Sequence, residues 1–130
     1  MTKVDRRVLK SQEAIKKAIL ELMSEKNFDD ITIRDIADSA NVNRGTIYLH
    51  YMDKYDLLDK LIEEHIGNLR ELCLSASEMT FQEGNYVWFE YFAENHLFFS
   101  TMLNTKSAAY FRSRFLDLVV QEYKVEINVT

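Results

Sequence analysis

Residues 32–51, TIRDIADSANVNRGTIYLHY, decide the fold of this chain. Two helices that cross at a tight angle need a small residue where their backbones approach, a turn residue that tolerates positive φ, and an apolar anchor on the second helix. Ala37, Asn41 and Ile47 occupy these three places. The stretch therefore predicts a helix-turn-helix. The alternative is that three small helices merely form a bundle.

Capping residues set the limits of these helices. Thr32 followed by Asp35 is typical of a capping box, which predicts a second helix over 33–39. Asn43 is a suitable N-cap for a third helix that ends near Leu49. Asp53 can cap a fourth helix, whose apolar spacing continues for about twenty residues, or about 30 Å.

The segment before this stretch has the apolar spacing of an amphipathic helix. We expect that helix to begin between Asp5 and Ser11 and to run to Lys26, where Asn27 stops it in a left-handed conformation. Its apolar side would consist of Ala14, Ile15, Ala18, Ile19, Leu22 and Met23.

The rest of the chain also has helical spacing. Residues 75–85, SASEMTFQEGN, are the best candidate for a loop, and helical segments follow near 86–94, 96–103 and 107–125. The chain has no proline and only three glycines, and it lacks an alternating strand pattern with a hairpin turn. The predicted fold class is all-α.

Composition limits the possible functions. A chain of 130 residues holds one ordinary domain or two small ones. It has neither an apolar run that could span a membrane nor a secretory signal, so we expect a cytoplasmic protein. One cysteine and no Cys/His cluster predict no metal site. Catalytic groupings and phosphate-binding loops are missing, so we expect neither an enzyme nor a cofactor.

Charge is unevenly distributed along the chain. The formal net charge is −5, yet residues 1–20 carry six basic and two acidic side chains. Residues 71–130 carry four basic and eight acidic side chains. Any contact with nucleic acid is therefore expected at the N-terminal end.

Residues 18–62, AILELMSEKNFDDITIRDIADSANVNRGTIYLHYMDKYDLLDKLI, resemble the TetR family of bacterial transcriptional regulators. GTIYLHYMDK, residues 45–54, is the most diagnostic part. Residues 86–125 are similar to the ligand-binding region of the variant common in Firmicutes, through their pattern of aromatic residues. The resemblance implies a helix-turn-helix DNA-binding domain over 1–53 and a helical regulatory region for ligand binding and dimerisation over 54–130.

The resemblance also implies a function. Such a protein is a DNA-binding repressor, usually a homodimer on a palindromic operator, and a small ligand in the C-terminal region releases it. The helix from Asn43 to Leu49 would be the recognition helix. Arg44 can make a bidentate contact to guanine, and Thr46 can reach a phosphate or a thymine methyl group. The residues expected to face the major groove are Asn43, Arg44, Gly45 and Thr46.

A second group of residues is implied to bind phosphates. Tyr48, His50 and Lys54 match family positions that contact the DNA backbone. Thr32 and Arg34, at the amino end of the second helix, would bind phosphate on the other side, helped by free backbone N–H groups.

Ordinary structural roles are open alternatives for several of these positions. Ile47 and Tyr51 share the side that faces the first helix and fit the core better than a DNA contact. His50 could be an exposed helix-end residue, and Lys54 could be a solvated charge. His65 and His96 are expected to be ordinary packed or surface residues.

Aromatic residues are concentrated in the C-terminal half. Eleven of the sixteen lie between Phe81 and Phe115. They could line a pocket for a flat or apolar inducer, or they could form plain core or a subunit interface. The residues predicted for such a pocket are Trp88, Phe92, Phe98 and Phe111.

Length separates this chain from the family it resembles. Relatives commonly continue with two further helices that form the four-helix bundle of the dimer, so we expect a truncated chain that dimerises weakly or differently. The alternative function is a helical protein-interaction or co-activator module with the same fold and no strong DNA binding.

Overall fold

The computed structural model describes residues 2–104 and 109–129, and helices dominate both parts. The predicted all-α fold is confirmed, since no strand occurs among the residues described. In chain order the helices are α1 (Lys3–Glu25), α2 (Ile33–Ala40), α3 (Arg44–His50), α4 (Lys54–Ala76), α5 (Phe81–Glu94), α6 (His96–Asn104) and α7 (Ala109–Val129), with a 3₁₀ turn at Phe28–Asp30 between α1 and α2.

The chain divides into two compact units, residues 1–61 and 62–130. The division falls inside α4, whereas the predicted domain boundary lies between Asp53 and Lys54. Within the two described parts of the chain, no helix is long and apolar enough to cross a lipid bilayer.

The first helix begins earlier than its spacing suggested. Thr2 and Asp5 form a capping box, in which the Thr2 hydroxyl accepts from the Asp5 backbone N–H at 3.2 Å. The prediction that Asn27 adopts a left-handed conformation is wrong, because Asn27 has φ −63° and ψ 142°. The helix ends instead at an extended Lys26 with φ −149°. This exit turns Phe28, which is 4% exposed, into the core.

The core of the first unit joins all four of its helices. The apolar side of α1 packs against α2 and α3, as the spacing predicted. Each helix contributes at least one fully buried side chain. These side chains are Ile15 and Ile19 of α1, Ile36 of α2, Ile47 of α3 and Leu57 of α4.

The helix-turn-helix forms as predicted. Asn41 has φ 57° and ψ 45°, the left-handed conformation that the turn requires. The Val42 backbone N–H then donates to the carbonyl of Ala37 at 3.0 Å. Ala37 is buried and gives α2 the small residue needed where α3 approaches.

The second unit contains a shorter loop than predicted. Ser75, Ala76 and the segment from Phe81 are helical, so within the predicted loop of residues 75–85 only residues 77–80 lie outside the helices. Thr80 caps α5 by accepting from the Glu83 backbone N–H at 3.2 Å. Gly84 is buried, and a Cβ there would lie 3.3 Å from the Cβ of Ala76. The glycine therefore allows the two helix ends to approach closely, whereas its presence in the sequence suggested a loop.

The last helix extends further than the spacing suggested. It runs to Val129 instead of ending near Val125. The predicted start at Ser107 lies outside the residues that the structure describes.

Candidate nucleic-acid interface

The third helix buries one side and exposes the other. Ile47 is fully buried, whereas Arg44 and Gly45 are exposed, Tyr48 is 55% exposed and Leu49 is 81% exposed. Gly45 and Leu49, each two residues from Ile47, lie on the opposite side of α3, and Arg44 is exposed in the first turn of the helix. The helix therefore presents a mixed basic, aromatic and apolar surface while its anchor holds it against the core.

Asn43 fixes the start of this helix. Its Oδ1 atom accepts from the Thr46 backbone N–H at 2.8 Å and from the Thr46 hydroxyl at 2.9 Å. The predicted N-cap is confirmed. A Cβ at Gly45 would lie 3.3 Å from the same Oδ1 atom. Glycine thus relieves crowding against the cap and leaves the backbone open to a ligand.

The amino end of α2 is also exposed, but its N–H groups are partly used. Thr32 and Arg34 are both exposed. The Thr32 backbone N–H donates to Asp35 Oδ2 at 3.0 Å, so this group is not free for a phosphate as the resemblance implied. That hydrogen bond, together with the ion pair to Lys26 at 3.0 Å, lowers the pKa of the Asp35 carboxyl below its ordinary value. A fixed carboxylate therefore lies next to the expected phosphate site.

Lys54 has a different environment from the one the resemblance implied. Its ammonium donates to the backbone carbonyls of Phe28 and Ile31, both at 2.8 Å, and of Asp29 at 3.2 Å. It also lies 4.8 Å from the centroid of the Phe28 ring. A lysine ammonium has three N–H donors, and three carbonyls occupy them. In this arrangement Lys54 ties the start of α4 to the turn before α2 and has no donor for a phosphate.

The end of α3 separates core residues from exposed ones. Tyr51 is 5% exposed, so the interpretation of Ile47 and Tyr51 as core residues is confirmed. His50 is half-buried, and its carbonyl accepts from Lys60 Nζ at 3.2 Å. Leu49 and Met52, which are 81% and 82% exposed, were missed from the sequence. The signal for Leu49 was its position two residues after the buried Ile47.

The four residues predicted for a ligand pocket have two kinds of environment. Phe98 and Phe111 are almost fully buried, and their rings pack edge to face with centroids 5.2 Å apart. Trp88 and Phe92 are half-buried and stack at 5.5 Å. For Phe98 and Phe111 the burial fits the core alternative.

A polar group lies within this aromatic core. Nδ1 of His65 is 2.6 Å from the hydroxyl oxygen of Tyr91, and Asn68 donates to the same oxygen at 3.3 Å. The His65 ring stacks on Phe98 with centroids 3.8 Å apart. Burial raises the pKa of the Tyr91 hydroxyl above its ordinary value. His65 therefore has a specific partner that was missed from the sequence, although its position on the apolar side of α4 was a signal.

Metal-binding side chains are not clustered in the described parts of the chain. Nowhere in residues 2–104 or 109–129 do three or more His, Cys, Asp or Glu side chains come together in a way that could hold a metal ion.

Comparison with known proteins identifies relatives of the first unit. Residues 15–61 match the family described as bacterial regulatory proteins, tetR family. The chain is 39% identical over 67 residues to the HTH-type transcriptional regulator YxbF of Bacillus subtilis, covering 51% of this chain and 18% of the relative. It is 31% identical over 72 residues to the class D tetracycline repressor of Escherichia coli, covering 55% of this chain and 33% of the repressor.

A solved structure extends the likeness over both units. The TetR transcriptional regulator from Streptococcus agalactiae has a TM-score of 0.60 and 29% identity, covering 88% of this chain and 63% of that one. This chain thus spans a third or less of the two curated relatives and less than two thirds of the solved regulator.

Proposed function

Since the first unit of this chain belongs to the tetR family of bacterial regulatory proteins, we propose that the protein is a transcriptional regulator that binds duplex DNA through α3. The observation that carries this proposal is the solvent-facing side of α3. Ile47 anchors the helix, Asn43 caps it, and Arg44, Tyr48 and Leu49 remain exposed for a ligand. A helix supported in this way fits the major groove of B-DNA.

The residues of α3 have distinct roles in the proposal. Arg44 donates two hydrogen bonds to a guanine, and Thr46 and Leu49 offer methyl groups to a thymine. The open backbone at Gly45 and the cap at Asn43 allow close approach to the groove. These are the contacts that would read sequence.

Phosphate contacts set the position of the helix without reading sequence. Tyr48 and His50 supply them from α3, and Thr32 and Arg34 supply them from α2. We assign Lys54 a supporting role, because its three donors go to backbone carbonyls of the turn before α2.

Regulation is proposed for residues 54–130. A homodimer on a palindromic operator would hold two α3 helices about 34 Å apart, one turn of the duplex. We propose that the protein acts as a repressor and that a small apolar or aromatic inducer releases it from DNA. Trp88 and Phe92 are the stronger candidates for contact with that inducer, because Phe98 and Phe111 are already covered by other side chains. The single tryptophan makes inducer binding measurable by fluorescence.

Selection of duplexes from a random pool, followed by anisotropy titration at several salt concentrations, tests the DNA-binding proposal. Arg44→Ala should weaken binding to the selected duplex by about 5- to 150-fold, because one base contact contributes about 1 to 3 kcal/mol. Binding of the same variant to a mixed-sequence duplex should weaken by a smaller factor. Arg70→Ala, a control at an exposed position of the second unit, should bind like the unmodified protein.

One result would contradict the DNA-binding proposal. If the unmodified protein shows no salt-dependent binding to any duplex, the DNA-binding proposal fails. The same fold would then serve as a protein-interaction or co-activator module, for which the net charge of −5 is suitable.

A further inference from the structure

Four basic residues share one side of the first helix. Lys3, Arg6, Arg7 and Lys10 follow the spacing i, i+3, i+4 and i+7, and all four are exposed. We call these residues the basic stripe. The first fully buried residue of α1 is Ile15, so the stripe lies on a part of the helix that extends beyond the core.

The charges of the basic stripe are not neutralised by the chain itself. Within residues 2–104 and 109–129, no ion pair or side-chain hydrogen bond involves any of the four side chains. Asp5 is the one acidic residue in this part of α1, and the capping box with Thr2 occupies its carboxylate. A concentrated positive surface in a chain of net charge −5 indicates an anionic partner.

Duplex DNA fits this surface better than a lipid bilayer does. A membrane-binding helix inserts an exposed apolar side. The apolar side of α1 is buried in the core of its unit from Ile15 onward, which leaves Val8 and Leu9 as the exposed large apolar residues described beside the stripe. Lys3 and Lys10 lie about 10 Å apart along the helix axis, at about 1.5 Å per residue. Phosphates of one strand recur about every 3.4 Å along the duplex axis, so this length covers several of them.

We propose that the basic stripe binds phosphates of duplex DNA outside the groove that α3 enters. This inference rests on the proposed DNA-binding function and adds a second contact region to it. Because the contacts are to phosphates, the stripe adds affinity for every sequence and no preference among sequences. It also makes binding more salt-dependent, since each neutralised phosphate releases counterions.

The test compares two variants of the full chain that have the same net charge. Arg6→Gln together with Arg7→Gln removes two charges from the stripe, and Arg70→Glu lowers the net charge by the same amount in the second unit. Binding to a fluorescein-labelled mixed-sequence duplex is measured by anisotropy over a series of sodium chloride concentrations. Circular dichroism checks that both variants keep the helical content of the unmodified protein.

The double variant should lower the slope of log K against log salt by about two, at about 0.9 for each phosphate that the protein no longer neutralises. Arg70→Glu should keep the slope of the unmodified protein. A double variant with an unchanged slope overturns this inference and leaves the α3 proposal standing. An equal decrease in Arg70→Glu also overturns it, because the effect would then follow from net charge alone.

Two further results would overturn the assignment of the basic stripe to DNA. If the unmodified protein does not bind the duplex even at low salt, the proposed function fails together with this one. If phosphatidylserine vesicles bind the unmodified protein and not the double variant, while both bind DNA with the same slope, the partner of the stripe is a membrane surface and the inference is wrong.

Discussion

Lys54, the first residue of α4, donates a hydrogen bond of 2.8 Å to the backbone carbonyl of Ile31, the residue immediately before the N-cap of α2. The same ammonium binds the carbonyls of Phe28 and Asp29. The start of α4 is therefore attached to the turn that positions Thr32. Any shift of α4 at Lys54 must either carry this turn with it or break three hydrogen bonds.

Replacing Lys54 with methionine should destabilise the first unit. Lys54→Met keeps the apolar stem and removes the charged donor, which leaves the carbonyls of Phe28 and Ile31 without this partner. A hydrogen bond to a charged group contributes about 1.5 to 3 kcal/mol, so we expect a loss of about 2 kcal/mol in the free energy of unfolding. Urea denaturation followed by circular dichroism measures it.

Lys60→Met is the matched control for this substitution, because Lys60 makes its hydrogen bond and ion pair at the surface. It should change the free energy of unfolding by less than about 1 kcal/mol.

DNA binding gives a second measurement on Lys54→Met. The slope of log K against log salt should be the same in this variant as in the unmodified protein. A slope smaller by about one with unchanged stability would show instead that Lys54 binds a phosphate.

Loss of the cap at Asn43 should weaken α3. Asn43→Ala removes the acceptor of two hydrogen bonds from Thr46 and should cost about 1 kcal/mol in the free energy of unfolding. Asn43→Ser keeps a capping oxygen and should retain most of that stability. Equal stability of the alanine and serine variants in urea would show that the cap contributes nothing.

Two carboxyls should make the first unit sensitive to acid. Hydrogen bonds from the backbone N–H groups of Thr32 and Met52 lower the pKa of Asp35 and Asp56, respectively, below the ordinary value of 3.8. A carboxyl with a lowered pKa in the folded state contributes stability that is complete above its unfolded pKa. That stability is lost as the pH falls through the folded pKa.

The melting temperature should therefore fall below about pH 4 and fall less in a double variant, Asp35→Asn with Asp56→Asn. Thermal melts in steps from neutral pH to about pH 2 measure the difference. The double variant should also melt at a lower temperature at neutral pH. Parallel pH profiles for both proteins would contradict the assignment.

The hydroxyl of Tyr91, a half-buried residue, should ionise at higher pH than an ordinary tyrosine. Because burial raises its pKa, the difference in ultraviolet absorbance between the unmodified protein and Tyr91→Phe should show a tyrosine that ionises above about pH 10. Because the pKa of Tyr91 is raised in the folded state, the protein loses the stability that this group contributes as the pH rises through that folded-state pKa. A difference spectrum that titrates at or below the ordinary tyrosine pKa would contradict this.

Tyr91→Phe should also be less stable at neutral pH. The substitution removes the hydroxyl near His65 Nδ1 and Asn68 Nδ2, and an unsatisfied buried polar group costs about 1 to 3 kcal/mol. Tyr86→Phe is the control, since Tyr86 is 68% exposed. If both variants unfold at the same urea concentration, the His65–Tyr91 contact does not stabilise the fold.

Features that depend on neighbours a few residues apart could be predicted from the sequence. The capping box of Thr32 and Asp35, the left-handed turn at Asn41 and the cap from Asn43 to Thr46 were all predicted and formed. Each joins groups within about one helical turn, so local geometry is enough to form it. The apolar spacing of α1 likewise predicted which side of that helix would be buried.

Features that join distant parts of the chain within each unit depend on how its helices pack and could not be predicted from local spacing. Lys54 reaches a carbonyl 26 positions earlier, and the same separation divides His65 from Tyr91. Gly84 looked like a loop residue until its approach to Ala76 gave it a packing role. The spacing of residues along one helix fixes which of them share a side. The partner that a long side chain meets depends on how the other helices of its unit pack against it.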